Sequence, residues 1–232
     1  MHSDRAPLPR GARAAAGAPP RLLRHLRAVD QGLTRSAASW EGTLARRVLP
    51  AVEESAEHTK LWLAAAALLA AAGGLRGRRA AAAGLAGMWT AQAVGGAVKH
   101  LGERRRPPKE LIPNDQVEDR PDTSSFPSGH TVAAVGFTAS VASAWPAAAV
   151  PCAVLTAAVA LQRVHSGAHY PSDVAAGAVI GCAGSSLARH LLARARRREC
   201  LRDRPEGGHP APCQCWSWVR WASVRPSRKN RS

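Results

Sequence analysis

The sequence predicts an all-α protein: an integral membrane helical bundle with about five transmembrane helices, preceded by an amphipathic N-terminal helical segment. Three features carry this expectation. Runs dominated by Ala, Val, Leu and Gly recur through the middle of the 232 residues, arginine-dense segments flank them, and 46% of the chain is hydrophobic although only 4% is aromatic. The mean hydropathy of −0.18 resembles that of a soluble protein, but it averages apolar runs with polar ends. With 32 Lys and Arg against 16 Asp and Glu, the formal net charge is +16. That surplus excludes an acid-rich disordered chain and points to nucleic acid, an anionic membrane surface or a phosphorylated ligand.

Residues 1–20 are rich in Arg, Ala and Pro without an uninterrupted apolar core, and are expected to form a flexible extension rather than a cleaved signal peptide. Residues 21–58 place Leu22, Leu23, Leu26, Val29 and Leu33, then Trp40, Leu44, Val48 and Leu49, at helical spacing with charges on the other side. One or two helices lying on the membrane or over the bundle are expected there, because each charge carried to mid-bilayer costs about 2.5–3.5 kcal/mol.

The bundle itself is assigned to residues 59–195. Its apolar runs are 61–75, 80–98, 131–145, 147–161 and 174–192, and the first two are expected to be joined by the basic loop Arg76–Arg79. Each is at or slightly below the ~20 residues of a full crossing, so four or six spans are also compatible with the pattern. Glycines such as Gly84, Gly87, Gly95, Gly177, Gly181 and Gly184 suit close helix packing in lipid, whereas in a soluble helix each would cost up to ~1 kcal/mol relative to Ala. Residues 196–232 form a basic tail with Trp216, Trp218 and Trp221, expected to be disordered or to touch an anionic leaflet. The five cysteines are scattered, and the Cys213/Cys215 spacing is shorter than that of common zinc sites, so no metal is assigned.

The polar residues with chemical potential gather at the predicted span ends. Lys99 closes the second run, Ser128, Gly129 and His130 open the third, Arg163 follows the fourth, and His169 to Asp173 lead into the fifth. Together with Arg106, this set of cations, histidines and one carboxylate suits a tetrahedral phosphate dianion: guanidinium groups bind its oxygens bidentately and an ammonium adds a point charge.

Read as patterns, Lys99–Pro107 is K-x6-R-P, Pro127–His130 is P-S-G-H, and Arg163–Asp173 is R-x5-H-x3-D. In this order, at span ends, they resemble the three signature motifs of the type 2 phosphatidic acid phosphatase superfamily, which includes lipid, prenyl-diphosphate and some sugar phosphatases and vanadium haloperoxidases. The resemblance covers roughly residues 60–193 and departs from the family pattern at Gln162, where the family carries Ser before the arginine. It implies a metal-independent, cofactor-free phosphatase. On it, His169 is the nucleophile and forms a phosphohistidine, Asp173 accepts a hydrogen bond from its ring, and His130 is the general acid. Lys99, Arg106, Ser128, Gly129 and Arg163 are the expected phosphate ligands, with the helix start at Ser128 adding backbone donors.

His165 is the nearest rival to His169 but lacks a carboxylate four residues on. Arg104 and Arg105 are expected to be surface charges or headgroup contacts. The leading expectation is hydrolysis of a terminal phosphate monoester or diphosphate on a polyprenyl or glycerolipid, with membrane lipids as the other partners and no nucleic acid. Alternatives are a lipid-linked sugar phosphate, a small soluble phosphoester, or an inactive lipid-phosphate-binding membrane protein. Vanadate-dependent halide oxidation is disfavoured by the apolar spans. Basic residues at Arg76–Arg79 and Arg194–Arg198, opposite the motif ends, place the site on the extracytoplasmic side of the cell membrane, although an odd span count would put the basic amino terminus on that same side.

Overall fold

The structure is a computed structural model that describes residues 21–56, 59–100, 103–112 and 123–202. The expected flexible extension, the loop around Asp115 and the tryptophan-bearing tail lie outside the described residues. Within them the protein is all-α, with helices α1 (Arg21–Ala38), α2 (Thr43–Ala56), α3 (Lys60–Ala72), α4 (Gly74–Lys99), α5 (Gly129–Ala144), α6 (Pro146–His165) and α7 (Pro171–Arg202), plus a 3-10 turn at Lys109–Leu111.

The amphipathic segment is a pair of helices, and α1 turns an unexpected side inward. Leu26, Val29 and Leu33 are exposed, whereas Asp30, Thr34 and Ala38 are buried against the bundle. Thr34 Oγ1 donates to the Asp30 carbonyl one turn earlier, which satisfies its hydroxyl where no water reaches. The leucine stripe thus faces outward, while the stripe of Asp30, Thr34 and Ala38 does the packing.

The break between α3 and α4 falls at Gly73–Gly74, and not at Arg76–Arg79, which are helical residues of α4. Gly73 N–H closes α3 on the Leu69 carbonyl at 3.0 Å, and Gly74 takes φ +52°, a left-handed conformation that favours glycine. Arginines have good helix propensity, so a basic run is no helix stop once the glycine pair has made the turn. The Arg76 guanidinium lies over the Trp145 ring, 5.8 Å from its centre, and ties the α3–α4 turn to the α5–α6 turn. Pro146 then opens α6 at a position where a missing N–H costs nothing.

α4 packs on α5 and α7, α5 on α6 and α7, and α3 on α4. The core centres on Trp62 and Phe137, whose rings are 5.2 Å apart at 40°, with Met88, Val141 and Val159 around them. Contact between α4 and α7 is close: a Cβ added at Gly184 would lie 2.3 Å from Ala91 Cα. α7 continues past the expected end of the bundle to Arg202. By length and composition, α6 is the one helix among the described residues that is long and apolar enough to cross a membrane unaided.

Candidate active site

The motif residues converge at one end of the bundle, where α4 ends, α5 and α7 begin and α6 ends. The turn between α6 and α7 is built locally. Ser166 N–H bonds the Gln162 carbonyl at 2.9 Å, Gly167 N–H the Val164 carbonyl at 3.0 Å, and His169 N–H the Arg163 carbonyl at 3.0 Å. Pro171 then starts α7, and Asp173, two residues on, sends Oδ2 back to the Tyr170 N–H at 3.0 Å. This is the acidic half of a capping box.

His169 is buried, and its Nδ1 lies 2.6 Å from the Ser125 carbonyl. A carbonyl only accepts, so Nδ1 carries the proton and Nε2 keeps its lone pair. The expected Asp173 partner for this ring is replaced by Ser125. Asp173 is fully buried, with Oδ1 accepting from Arg104 Nη1 at 2.6 Å and Oδ2 used in the helix cap. Burial, together with the charges of Arg106 and Arg163, pushes the His169 ring down to about 3, so it is neutral at physiological pH.

Arg106 is anchored by three backbone and side-chain acceptors: Nε to the Thr123 carbonyl at 3.2 Å, Nη1 to the Ala168 carbonyl at 2.8 Å, and Nη2 to Thr123 Oγ1 at 3.4 Å. Lys99 Nζ donates to the same Thr123 hydroxyl at 3.3 Å. Burial first, then the neighbouring Arg163 charge, holds Arg106 below the usual arginine range. His130 sits in the positive field of Arg163, Arg106 and Lys99. The structure therefore brings together Lys99, Arg106, His130, Arg163 and His169. Ser128 is buried at the N-cap of α5, donating its N–H to the Asp173 carbonyl at 3.2 Å and accepting at Oγ from Thr131 at 3.0 Å. Gly129 is exposed, and a side chain there would meet open space.

Gln162, where the family pattern has Ser, is buried and accepts a hydrogen bond from Arg163 Nε. Arg163 Nη2 meets Glu53 Oε1 of α2 at 2.6 Å. Arg104, expected to be a surface charge, lies instead between Asp173 and Asp30 of α1 and stacks over Tyr170, 4.3 Å from the ring centre. Burial opposes its charge, but the two carboxylates more than offset that and raise it above the usual range. His165 Nε2 lies 3.1 Å from the Trp40 carbonyl, at the end of α1. Sequence reasoning missed Ser125, Glu53 and Asp30. Only Asp30 left a trace, an acid sharing its helical stripe with Thr34 and Ala38.

An apolar groove of about 540 Å³ begins at this end, under the α6–α7 turn, and runs between α6 and α7 over α5. Thr131, Pro171 and Ala160 border its upper end, and Ala142 and Ala149 its lower.

Residues 80–197 match the PAP2 superfamily. A decaprenylphosphoryl-5-phosphoribose phosphatase of Mycobacterium tuberculosis is 36% identical over 146 residues, covering 61% of this chain and 79% of that one, and gives the same figures in the CDC 1551 and H37Rv strains. The fold resembles the crystal structure of a transmembrane PAP2 type phosphatidylglycerolphosphate phosphatase from Bacillus subtilis, with a TM-score of 0.55 at 17% identity. That match covers 75% of this chain and 89% of the other.

Proposed function

The chain belongs to the PAP2 superfamily, as a phosphatase, and we propose that it is an integral membrane enzyme hydrolysing the terminal phosphate of an amphipathic lipid through a phosphohistidine. The observation that carries the substrate class is the apolar groove, whose upper end at Thr131 and Pro171 adjoins the turns that carry Ser128 and His169. A phosphate held among Lys99, Arg106 and Arg163 would leave its lipid chain free to follow that groove.

In this reading His169 Nε2 attacks phosphorus in line, and the bond from phosphorus to the leaving oxygen breaks as His130, protonated once the bound phosphate offsets the surrounding cations, gives that oxygen a proton. Water then attacks the phosphohistidine and yields its proton to His130, releasing inorganic phosphate and restoring the neutral His169. Lys99, Arg106 and Arg163 hold the equatorial oxygens, and the Gly129 and His130 N–H groups at the start of α5 face the same anion. Asp173 serves by fixing the turn that carries His169.

Helices α3 to α7 are read as the membrane-spanning bundle, with α1 at the interface. Exposed Leu63, Leu68, Val150, Val154, Val179 and Leu191 support this, as does the outward leucine stripe of α1. Arg76–Arg79 and Arg194–Arg198 lie at the ends of α4 and α7 remote from the site, which supports a cytoplasmic position for them and an extracytoplasmic site. A cysteine placed at Asp115 that resisted an impermeant thiol reagent in intact cells, while one at the tail reacted, would overturn that sidedness.

Among lipid classes, the mycobacterial relative favours a lipid-linked sugar phosphate over a plain polyprenyl or glycerolipid phosphate. The test is phosphate release by the purified protein, with chelator present, from prenyl diphosphates, phosphatidic acid, phosphatidylglycerol phosphate, a polyprenyl-linked phosphosugar and free sugar phosphates. Preference for free sugar phosphates over all lipids would sink the amphipathic-substrate reading.

A further inference from the structure

Asp30 belongs to α1, far outside the family-matched stretch 80–197, yet its carboxylate reaches the catalytic turn. Oδ1 accepts from Ser172 N–H at 3.0 Å, and Oδ2 accepts from Ser172 Oγ at 2.5 Å and from Arg104 Nη2 at 2.6 Å. Asp30 is buried and Arg104 partly exposed, so these bonds are partly shielded from water. The other arm of Arg104, Nη1, donates to Asp173 Oδ1 at 2.6 Å and to Ser172 Oγ at 2.6 Å.

The backbone of Arg104 completes the connection. Its carbonyl accepts from Ser125 N–H at 2.9 Å, and its N–H donates to Ser124 Oγ at 3.1 Å. Ser125 is the residue whose carbonyl accepts the hydrogen bond from His169 Nδ1–H. One residue, Arg104, therefore holds both supports of His169: the acceptor that fixes its tautomer and, through Asp173, the helix start that fixes its position. An arginine with a single carboxylate partner could rotate about its long side chain. Two carboxylates on opposite sides, with Tyr170 stacked against it, leave one arrangement.

We propose that Asp30 is a positioning residue for His169, acting through Arg104 and Ser172, so that docking of α1 completes the active site. This rests on reading His169 as the attacking residue. It assigns to the N-terminal segment a role that the family-matched region cannot supply alone, and makes α1 more than a membrane-surface helix.

The test uses the full-length protein in detergent, with phosphatidic acid and a polyprenyl-linked phosphosugar as substrates and orthovanadate as a probe of the five-coordinate state. D30N keeps the shape and removes the charge; D30E restores the charge. The expected result is a kcat lowered about 10- to 100-fold in D30N with KM within about threefold, the scale of a sub-ångström to 1 Å misplacement. Orthovanadate should weaken by a similar factor, D30E should recover part of the loss, and the melting midpoint should stay close to wild type. Should D30N fail to fold, S172A, which cuts one of the two anchors, takes the same measurements. Wild-type kcat in the folded variant, alongside an inactive H169A, overturns the positioning role and spares the nucleophile. Activity retained by H169A itself overturns the nucleophile instead.

Discussion

Arg163 is paired with Glu53: Nη2 and Oε1 lie 2.6 Å apart, joining α2 to the last turn of α6. Arg163 is buried, whereas the Glu53 side chain is 36% exposed, so the carboxylate approaches from the solvent side the cation that the proposed mechanism assigns to phosphate binding. A substrate phosphate must displace Glu53 from Arg163 or share the cation with it.

Replacing Glu53 with Gln is therefore expected to lower KM for the lipid phosphate. A half-exposed pair is worth about 1 kcal/mol or less, so the expected change is up to about fivefold, with tighter inhibition by inorganic phosphate. Initial-rate kinetics with phosphate as a product inhibitor measure both. A raised KM would show instead that Glu53 orients Arg163 for binding.

His169→Ala should abolish phosphate release, by about 10³-fold or more, while the protein remains folded in detergent. A reaction with ³²P-labelled substrate, quenched in detergent at alkaline pH where a phosphohistidine survives, should show acid-labile label on the wild-type chain and none on the variant.

The neutral, buried His169 also makes acid destabilising. Its folded value of about 3 lies below the ordinary value of 6.5, so the unfolded chain binds the extra proton between them. The contribution of this group is fully present above about pH 6.5 and is lost as pH falls toward 3. Thermal midpoints recorded from pH 7 to pH 4 should fall less steeply for His169→Gln than for wild type. Parallel curves would mean that His169 is not the buried neutral ring described.

Filling the groove should separate lipid from soluble substrates. Ala157→Phe, midway along it, is expected to lower kcat/KM for a long-chain lipid phosphate about tenfold or more and leave hydrolysis of a short aryl phosphate nearly unchanged. Equal losses on both would place the lipid chain elsewhere.

Gly184→Val tests the bundle rather than the chemistry. Its side chain would collide with the backbone of Ala91, which cannot rotate away, so α4 and α7 must part. Overpacking of this kind costs about 1–3 kcal/mol, read as a lower melting midpoint in detergent.

The helical runs, the cationic set and its place at the helix ends were legible in the sequence because each is a local property. Apolar periodicity defines a helix, and motif spacing places a residue at the end of one. The helix ends that carry Lys99, Ser128, Arg163 and His169 fall where the apolar runs put them. The α3–α4 turn falls at the Gly73–Gly74 pair and not at the basic run, because glycine takes the left-handed backbone the turn needs and arginine does not end a helix.

What the sequence left undetermined were choices among partners of similar chemistry. Asp173 stands four residues after His169 and could have met its ring or capped its own helix; packing spends it on the cap and on Arg104, and gives the ring a carbonyl from Ser125. Among the adjacent Arg104, Arg105 and Arg106, only the path of the loop decides that the first turns toward two carboxylates and the third toward the catalytic pocket. The inward face of α1 was likewise settled by tertiary structure: a leucine stripe can face a protein core or lipid, and Asp30 had somewhere to go only once Arg104 and Ser172 were in place. Local spacing fixed the helices and the motif, and long-range contacts between Asp30, Arg104 and Asp173 decided how the site is held.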